Sequence, residues 1–122
     1  MALVPIASMG NYLHIYDFRV KPGQAKAFIE LFNEFDYGAD NPMHKSPAQV
    51  RDGALVQDVK DEHHFWLIAE WSDIEEHARI RKQLVEMRPA FVGLLEGGTF
   101  IPEYAKVVSS TPQELLDRAG AA

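Results

Sequence analysis

Cysteine is absent from the 122 residues. That removes disulfides, thiolate nucleophiles and cysteine-ligated zinc or iron–sulfur centres. Basic residues are in the minority, 12 Lys and Arg against 18 Asp and Glu, for a formal net charge of −6. Such a chain has no long-range attraction for phosphate backbones or anionic membranes, so neither nucleic acid nor a membrane is an expected partner. No apolar run approaches the ~20 residues that a membrane-spanning helix needs. Met1–Gly10 is apolar but has no Lys or Arg ahead of it, which a secretory signal requires, and a cytoplasmic location is expected. The 8 glycines form neither a P-loop nor a dinucleotide fingerprint, and there is no HExxH, EF-hand loop or carboxylate cluster. Gly-x-Ser-x-Gly is missing too. The expectation is a protein with no cofactor: no metal, haem or flavin.

What is present is a regular succession of amphipathic segments. Tyr12, His14, Tyr16, Phe18 and Val20 alternate with Leu13, Ile15, Asp17 and Arg19, the period of a strand over Tyr12–Val20. Lys21-Pro22-Gly23 stops it. Gln24–Phe35 reads as a helix with Ala25, Phe28, Ile29, Leu31, Phe32 and Phe35 along one stripe. No period survives Gly38, Pro42 and Pro47, so 36–53 is expected to be a long loop, with a short helix near Pro47–Arg51. Leu55–Val59 and His63–Trp71 read as a hairpin across Lys60-Asp61-Glu62. Ser72 with Glu75 makes a capping box for a helix from Asp73 to about Met87. Pro89 breaks it at Arg88, a further turn or two ends at Gly97-Gly98, and Thr99–Val108 is a last strand that Pro102 places at an edge. Thr111-Pro112-Gln113-Glu114 opens a short C-terminal helix. The expectation is one domain over 1–122, with a core of 12–108 and a helical extension over 111–119. The order strand, helix, strand, strand, helix, strand is the ferredoxin-like α+β arrangement, an antiparallel sheet with helices on one face.

Both central strands are apolar on both faces. Leu13 and Ile15 oppose Tyr16 and Phe18; Trp66 and Ile68 oppose Phe65, Leu67 and Ala69. Two helices cover one face only, and an open face should alternate to polar. A second copy of the chain, making a homodimer through the sheets, is the expected cover; the other reading is that the long loop and the C-terminal helix fold over it.

The second helix carries His77 and Arg81 inside an arc otherwise made of Ile74, Ala78, Ile80, Leu84, Val85 and Met87. Both are therefore aimed at the sheet. A buried Arg81 must meet an anion, a backbone carbonyl, or Asp17 or Glu70. Two readings stay open: a polar pair lining a cleft, with His77 as proton acceptor, or a core histidine beside a snorkelling arginine. A ligand-facing His77 would tolerate truncation to alanine, whereas a core histidine would not. His14 and Tyr16 share a strand face, where they either orient a phenol or pack across strands. His63 and His64, as strand neighbours, point to opposite faces and cannot chelate one ion together.

Phe18-Arg19-Val20-Lys21-Pro22-Gly23 leading into a Phe-rich helix, and Glu70-Trp71-Ser72-Asp73 leading into a charged one, together resemble the antibiotic biosynthesis monooxygenase domain of the dimeric α+β barrel superfamily over roughly Tyr12–Val108. The resemblance implies a barrel of two facing sheets in a dimer, a cleft between sheet and helices in each subunit, and a small aromatic substrate. Members include cofactor-free quinol-forming oxygenases, haem-degrading oxygenases and proteins without known activity, so the fold does not carry the chemistry. Trp71 matches the strand-end Trp of the oxygenases, where it either walls a substrate or holds helix to sheet. His77 stands where some quinol-forming members have Tyr, and Leu67 where they have Asn. The helical wheel, the shared strand face and the resemblance taken together make Trp71, His77 and Arg81 the expected catalytic residues and His14, Tyr16 and Leu67 the expected substrate contacts. For haem degradation, the required Asn, Trp and His would fall at Tyr16, Ile80 and Ala90, and none matches. A non-catalytic dimeric ligand-binding or stress-response protein of the same fold is the competing class.

Overall fold

β1 (Tyr12–Arg19) pairs antiparallel on one side with β3 (Asp61–Trp71) and on the other with β4 (Pro102–Lys106), while β2 (Gln49–Asp58) pairs with the free edge of β3. This sheet, in the order β2-β3-β1-β4, belongs to a computed structural model that describes residues 2–121. Helices α1 (Ala25–Asp36) and α2 (Ile74–Glu86) supply the remaining elements of the ferredoxin-like α+β order expected above, and α3 (Gln113–Ala121) follows the last strand. No helix among the described residues is long and apolar enough to cross a membrane.

The core is a phenylalanine lattice. Phe18 meets Phe28 at 5.4 Å between ring centroids, Phe28 meets Phe65 at 5.0 Å, and Phe32 meets Phe91 at 5.4 Å. Each such side chain contributes roughly 1.5–3 kcal/mol through burial. The stripe read on the first helix is the one that packs: Phe28 and Phe32 are buried.

Four local expectations need correction. The short helix of the long loop is a 3-10 turn over Pro42–Lys45, capped by the Asn41 side chain, which accepts from the Met43 N–H at 3.0 Å; it does not lie at Pro47–Arg51. β2 begins at Gln49, well before Leu55, because its half-buried positions are Gln49, Arg51 and Gly53, and no apolar alternation marks them. Asp73, not Ser72, caps α2, accepting from the N–H groups of Glu75 and Glu76; the Ser72 N–H and hydroxyl both donate to the Ala48 carbonyl, at 2.8 and 3.3 Å. The stretch after Pro89 forms 3-10 turns over Ala90–Leu94 and Glu96–Gly98, and the last strand is shorter than Thr99–Val108.

The outer face of the sheet carries Leu13, Ile15, Trp66 and Ile68, all half-buried, and Val56, 39% exposed. Val4, Pro5 and Ile6 lie beside Leu13, Ala54, Val56 and Ile68 on it, and α3 meets this segment through Gln113, which donates to the Leu3 carbonyl at 2.9 Å. One end of the face is strapped by residues 2–11. Buried Glu70 holds that strap, accepting from the Ser8 N–H at 2.8 Å and from Asn11 Nδ2 at 2.9 Å, while Arg51 Nε lies 3.4 Å from its other oxygen.

Candidate functional site

Strand alternation turns His14, Tyr16 and Phe18 of β1 toward the helices. In register beside them stand Ala69 and Leu67 of β3. Phe32 and Phe35 of α1, Met43, Phe91 and Phe100 close over these residues and form a narrow apolar cleft. It leaves about 30 Å³ free, room for about two waters. Gly53 suits its wall by close approach: a Cβ there would crowd the Ile68 carbonyl and Leu67 Cδ1, each at 3.2 Å.

His14 is the unusual group of this wall. It is buried, and neither Nδ1 nor Nε2 has a hydrogen-bond partner. Its ring stacks on His77 at 4.3 Å and 21°. Burial first, and then the neighbouring His77, lower its pKa to about 3. At neutral pH it is a neutral imidazole with an unpartnered acceptor nitrogen, in the wall of an apolar cleft.

Behind the wall runs a hydrogen-bonded chain. Tyr16 Oη lies 3.2 Å from His77 Nε2, and His77 Nδ1 lies 2.8 Å from Tyr104 Oη. Burial, then Arg81, lowers the His77 pKa to about 4, so this ring too is neutral and carries a single N–H. One tyrosine therefore donates to it while it donates to the other. Burial raises the pKa of both Tyr16 and Tyr104, opposed in each case by Arg81. Tyr104 is 36% exposed, so the chain begins at the cleft wall and ends at the surface.

The six residues singled out in the sequence divide into three layers. His14, Tyr16 and Leu67 line the cleft. Trp71 and His77 are fully enclosed behind it, edge to face at 4.9 Å, with the Trp71 indole N–H unpartnered. A truncation of His77 would therefore remove core packing as well as a proton carrier. Arg81 packs against Phe100 outside the cleft lining, yet close enough to Tyr16 for its charge and a hydrogen bond to lower that phenol's pKa. It donates through Nη2 to the Phe100 carbonyl and holds its guanidinium 5.4 Å from the centroid of that ring. It meets a backbone carbonyl, and neither Asp17, which pairs with Arg19 and His64, nor Glu70. His63 and His64 do diverge: His63 Nε2 accepts from the Gly23 N–H at 3.0 Å, and His64 sits between Asp58 and Asp17, each at 3.1 Å.

Two features escaped the sequence reading. One is Tyr104, on the edge strand β4, whose hydroxyl meets His77 Nδ1. Asp36, His44 and Asp52 gather at the mouth of the cleft, where His44 Nε2 lies 3.0 Å from Asp52 and 3.4 Å from Asp36. Burial raises the Asp36 pKa, with His44 opposing it. The aperiodic long loop was the sole sequence signal for this cluster.

No protein-family model matches the chain, and no curated protein matches it. Solved structures do. A point mutant of SnoaB, a cofactor-independent oxygenase from Streptomyces nogalater, superposes with a TM-score of 0.64 at 17% identity, over 84% of this chain and 98% of its own. A Bordetella bronchiseptica protein named for antibiotic biosynthesis monooxygenase gives 0.64 at 16% identity, over 80% and 97%. A NIPSNAP family protein from Agrobacterium tumefaciens gives 0.61 at 11%, over 87% and 93%. At these identities the likeness is one of fold: the chain has the ferredoxin-like α+β fold shared by structures that carry the antibiotic biosynthesis monooxygenase name.

Proposed function

We propose that the protein is a cofactor-independent monooxygenase that takes a phenolic or quinol-type aromatic into the cleft. The observation that carries this reading is His14, a neutral imidazole with both nitrogens free in an apolar wall. A phenol O–H directed at it would supply the missing partner. The phenolate formed gives an electron to dioxygen, the radical pair combines to form a C–O bond, and loss of water leaves a quinone. One oxygen atom enters the product and the other leaves as water, with all four electrons coming from the substrate, so no external reductant is needed. The fold shared with SnoaB, a cofactor-independent oxygenase, supports the same chemistry.

Burial makes His14 a weak base and makes a phenol in so apolar a cleft a weak acid, so the proton transfer is uphill and the attraction within the ion pair it forms recovers part of the cost. Neutral His77 lets Tyr16 and Tyr104 pass a proton between cleft and surface. Oxygen uptake with a panel of quinols and naphthols tests the proposal: one dioxygen consumed per quinone formed is the expected result.

The tightness of the cleft favours a second reading, a non-catalytic ligand-binding protein, because about 30 Å³ holds no aromatic ring until the wall moves. Stoichiometric binding of a quinol without oxygen consumption would decide for it.

We further propose that the protein works as a homodimer through the outer sheet face. Leu13, Ile15, Trp66, Ile68 and Val56 support it, and a sheet-to-sheet contact should bury above roughly 1,600 Å². Sedimentation at micromolar concentration is expected to give a dimer, and Ile68→Asp to give a monomer. A wild-type monomer would sink the idea.

A further inference from the structure

Arg81 does not open into the cleft. It lines a separate groove of about 550 Å³ on the other side of Phe100, together with Arg88, Val85, Val92 and Thr99. Phe100 is the common wall of the two spaces.

Three observations set this groove apart. On a chain of net charge −6, its lining holds two arginines and no carboxylate. Among the described residues neither arginine forms an ion pair, whereas Arg19, Arg51 and Arg79 all do; Arg81 donates to the Phe100 carbonyl, lies close enough to Tyr16 to lower that phenol's pKa, and leaves its buried Nε unpartnered. Arg88 is the one described non-glycine residue with a positive φ, 50°. That backbone region is disfavoured for a side chain with a Cβ, and the residue that adopts it lines the groove just before the Pro89 break. The rest of the lining is mainly apolar, with Val85, Pro89, Ala90, Val92 and the Phe100 ring. Two planar, permanently charged forks above apolar walls suit a planar oxyanion attached to a ring.

We propose that this groove is a binding site for the carboxylate of an aromatic acid, with Arg81 and Arg88 pairing the carboxylate oxygens and Val85, Val92 and Phe100 packing the ring. The site goes beyond the oxygenase reading and stands whether or not the cleft turns over a phenol. Its position gives it a second consequence. An anion that draws Arg81 from the Phe100 carbonyl loosens the wall between groove and cleft, so occupancy of one is coupled to the width of the other.

The test titrates the full chain with 1-naphthoate and follows backbone amide shifts. Saturable shifts at Gly93, Gly98 and Thr99 are expected, weakening as salt rises, with 1-naphthylmethanol binding at least about tenfold more weakly because it lacks the charge. Arg88→Gln is expected to weaken naphthoate by about tenfold or more. Arg88→Gly removes the same charge while relieving the backbone, so a loss of binding in a variant of unchanged or higher Tm cannot be ascribed to misfolding. Equal affinity for the alcohol, undiminished binding in both Arg88 variants, or shifts confined to Gly53 and Ala69 in the cleft would each overturn the proposal. Oxygen uptake plays no part in this readout, so its failure and that of the oxygenase reading remain separate.

Discussion

His14→Phe is expected to abolish oxygen uptake and to leave the folded protein more stable. A phenyl ring keeps the flat shape that stacks on His77 at 4.3 Å and lies edge-on to Trp71 at 6.1 Å. It removes two buried nitrogens that have no partner. A buried unsatisfied polar group costs about 1–3 kcal/mol, so the substitution should raise the free energy of unfolding by about 1 kcal/mol after allowance for the slightly larger ring. Loss of a positioned proton acceptor typically lowers turnover by about 10²–10⁴-fold. Urea denaturation and an oxygen electrode measure the two effects on one preparation. An ordinary core histidine would show the stability gain with turnover intact, and that outcome would remove His14 from the chemistry.

A second large effect is expected in acid. The pKa values of His14 and His77 are lowered in the folded state to about 3 and about 4, against about 6.5 in the unfolded chain. Between pH 6.5 and 4 the unfolded chain therefore binds protons that the folded one refuses, and stability falls as pH falls through that window. Above pH 6.5 both states hold neutral imidazoles and these residues give no slope. Each residue contributes about 1.4 kcal/mol per pH unit below 6.5, so at pH 5 the two together cost about 4 kcal/mol. Domains of this size have about 5–15 kcal/mol in total. Asp36, with its pKa raised by burial, acts in the opposite sense but over the lower, carboxylate range. Urea midpoints at pH 7, 6 and 5 should fall steeply, and His14→Phe should remove about half of the slope. A midpoint independent of pH over that interval would show that both rings accept protons in the folded state.

The parts of the site that obey a period were legible in the sequence. Alternation along Tyr12–Val20 put His14 and Tyr16 on the helix side, where they line the cleft. The helical wheel turned His77 and Arg81 inward, and both do point inward. A wheel gives direction around a helix but not depth, which is why the enclosure of His77 behind Tyr16, and the separation of Arg81 from the cleft by Phe100, emerged from packing alone. The mouth residues Asp36, His44 and Asp52 had no period to betray them. They meet because Asn41 caps a single 3-10 turn and because β2 takes polar residues and a glycine into half-buried positions. The strap over the outer face was hidden for a related reason: its anchor, Glu70, ends a strand apolar on both faces, and nothing in Met1–Gly10 marks Ser8 as its partner.

That anchor gives residues 2–11 a bearing on solubility as well as on architecture. Glu70 is enclosed, and its carboxylate takes its hydrogen bonds from Ser8 and Asn11. Proteolytic trimming through Asn11 would remove both of these donors and leave Arg51, 3.4 Å from the other oxygen, as the carboxylate's remaining partner. A buried charge short of its hydrogen bonds is costly, and the sheet would shed that cost by letting water in at its strapped end. The same event would wet the margin of the face proposed to meet a second copy. Nicking of a short, exposed, apolar tail would thus loosen the assembly from a point remote from both the cleft and the arginine groove.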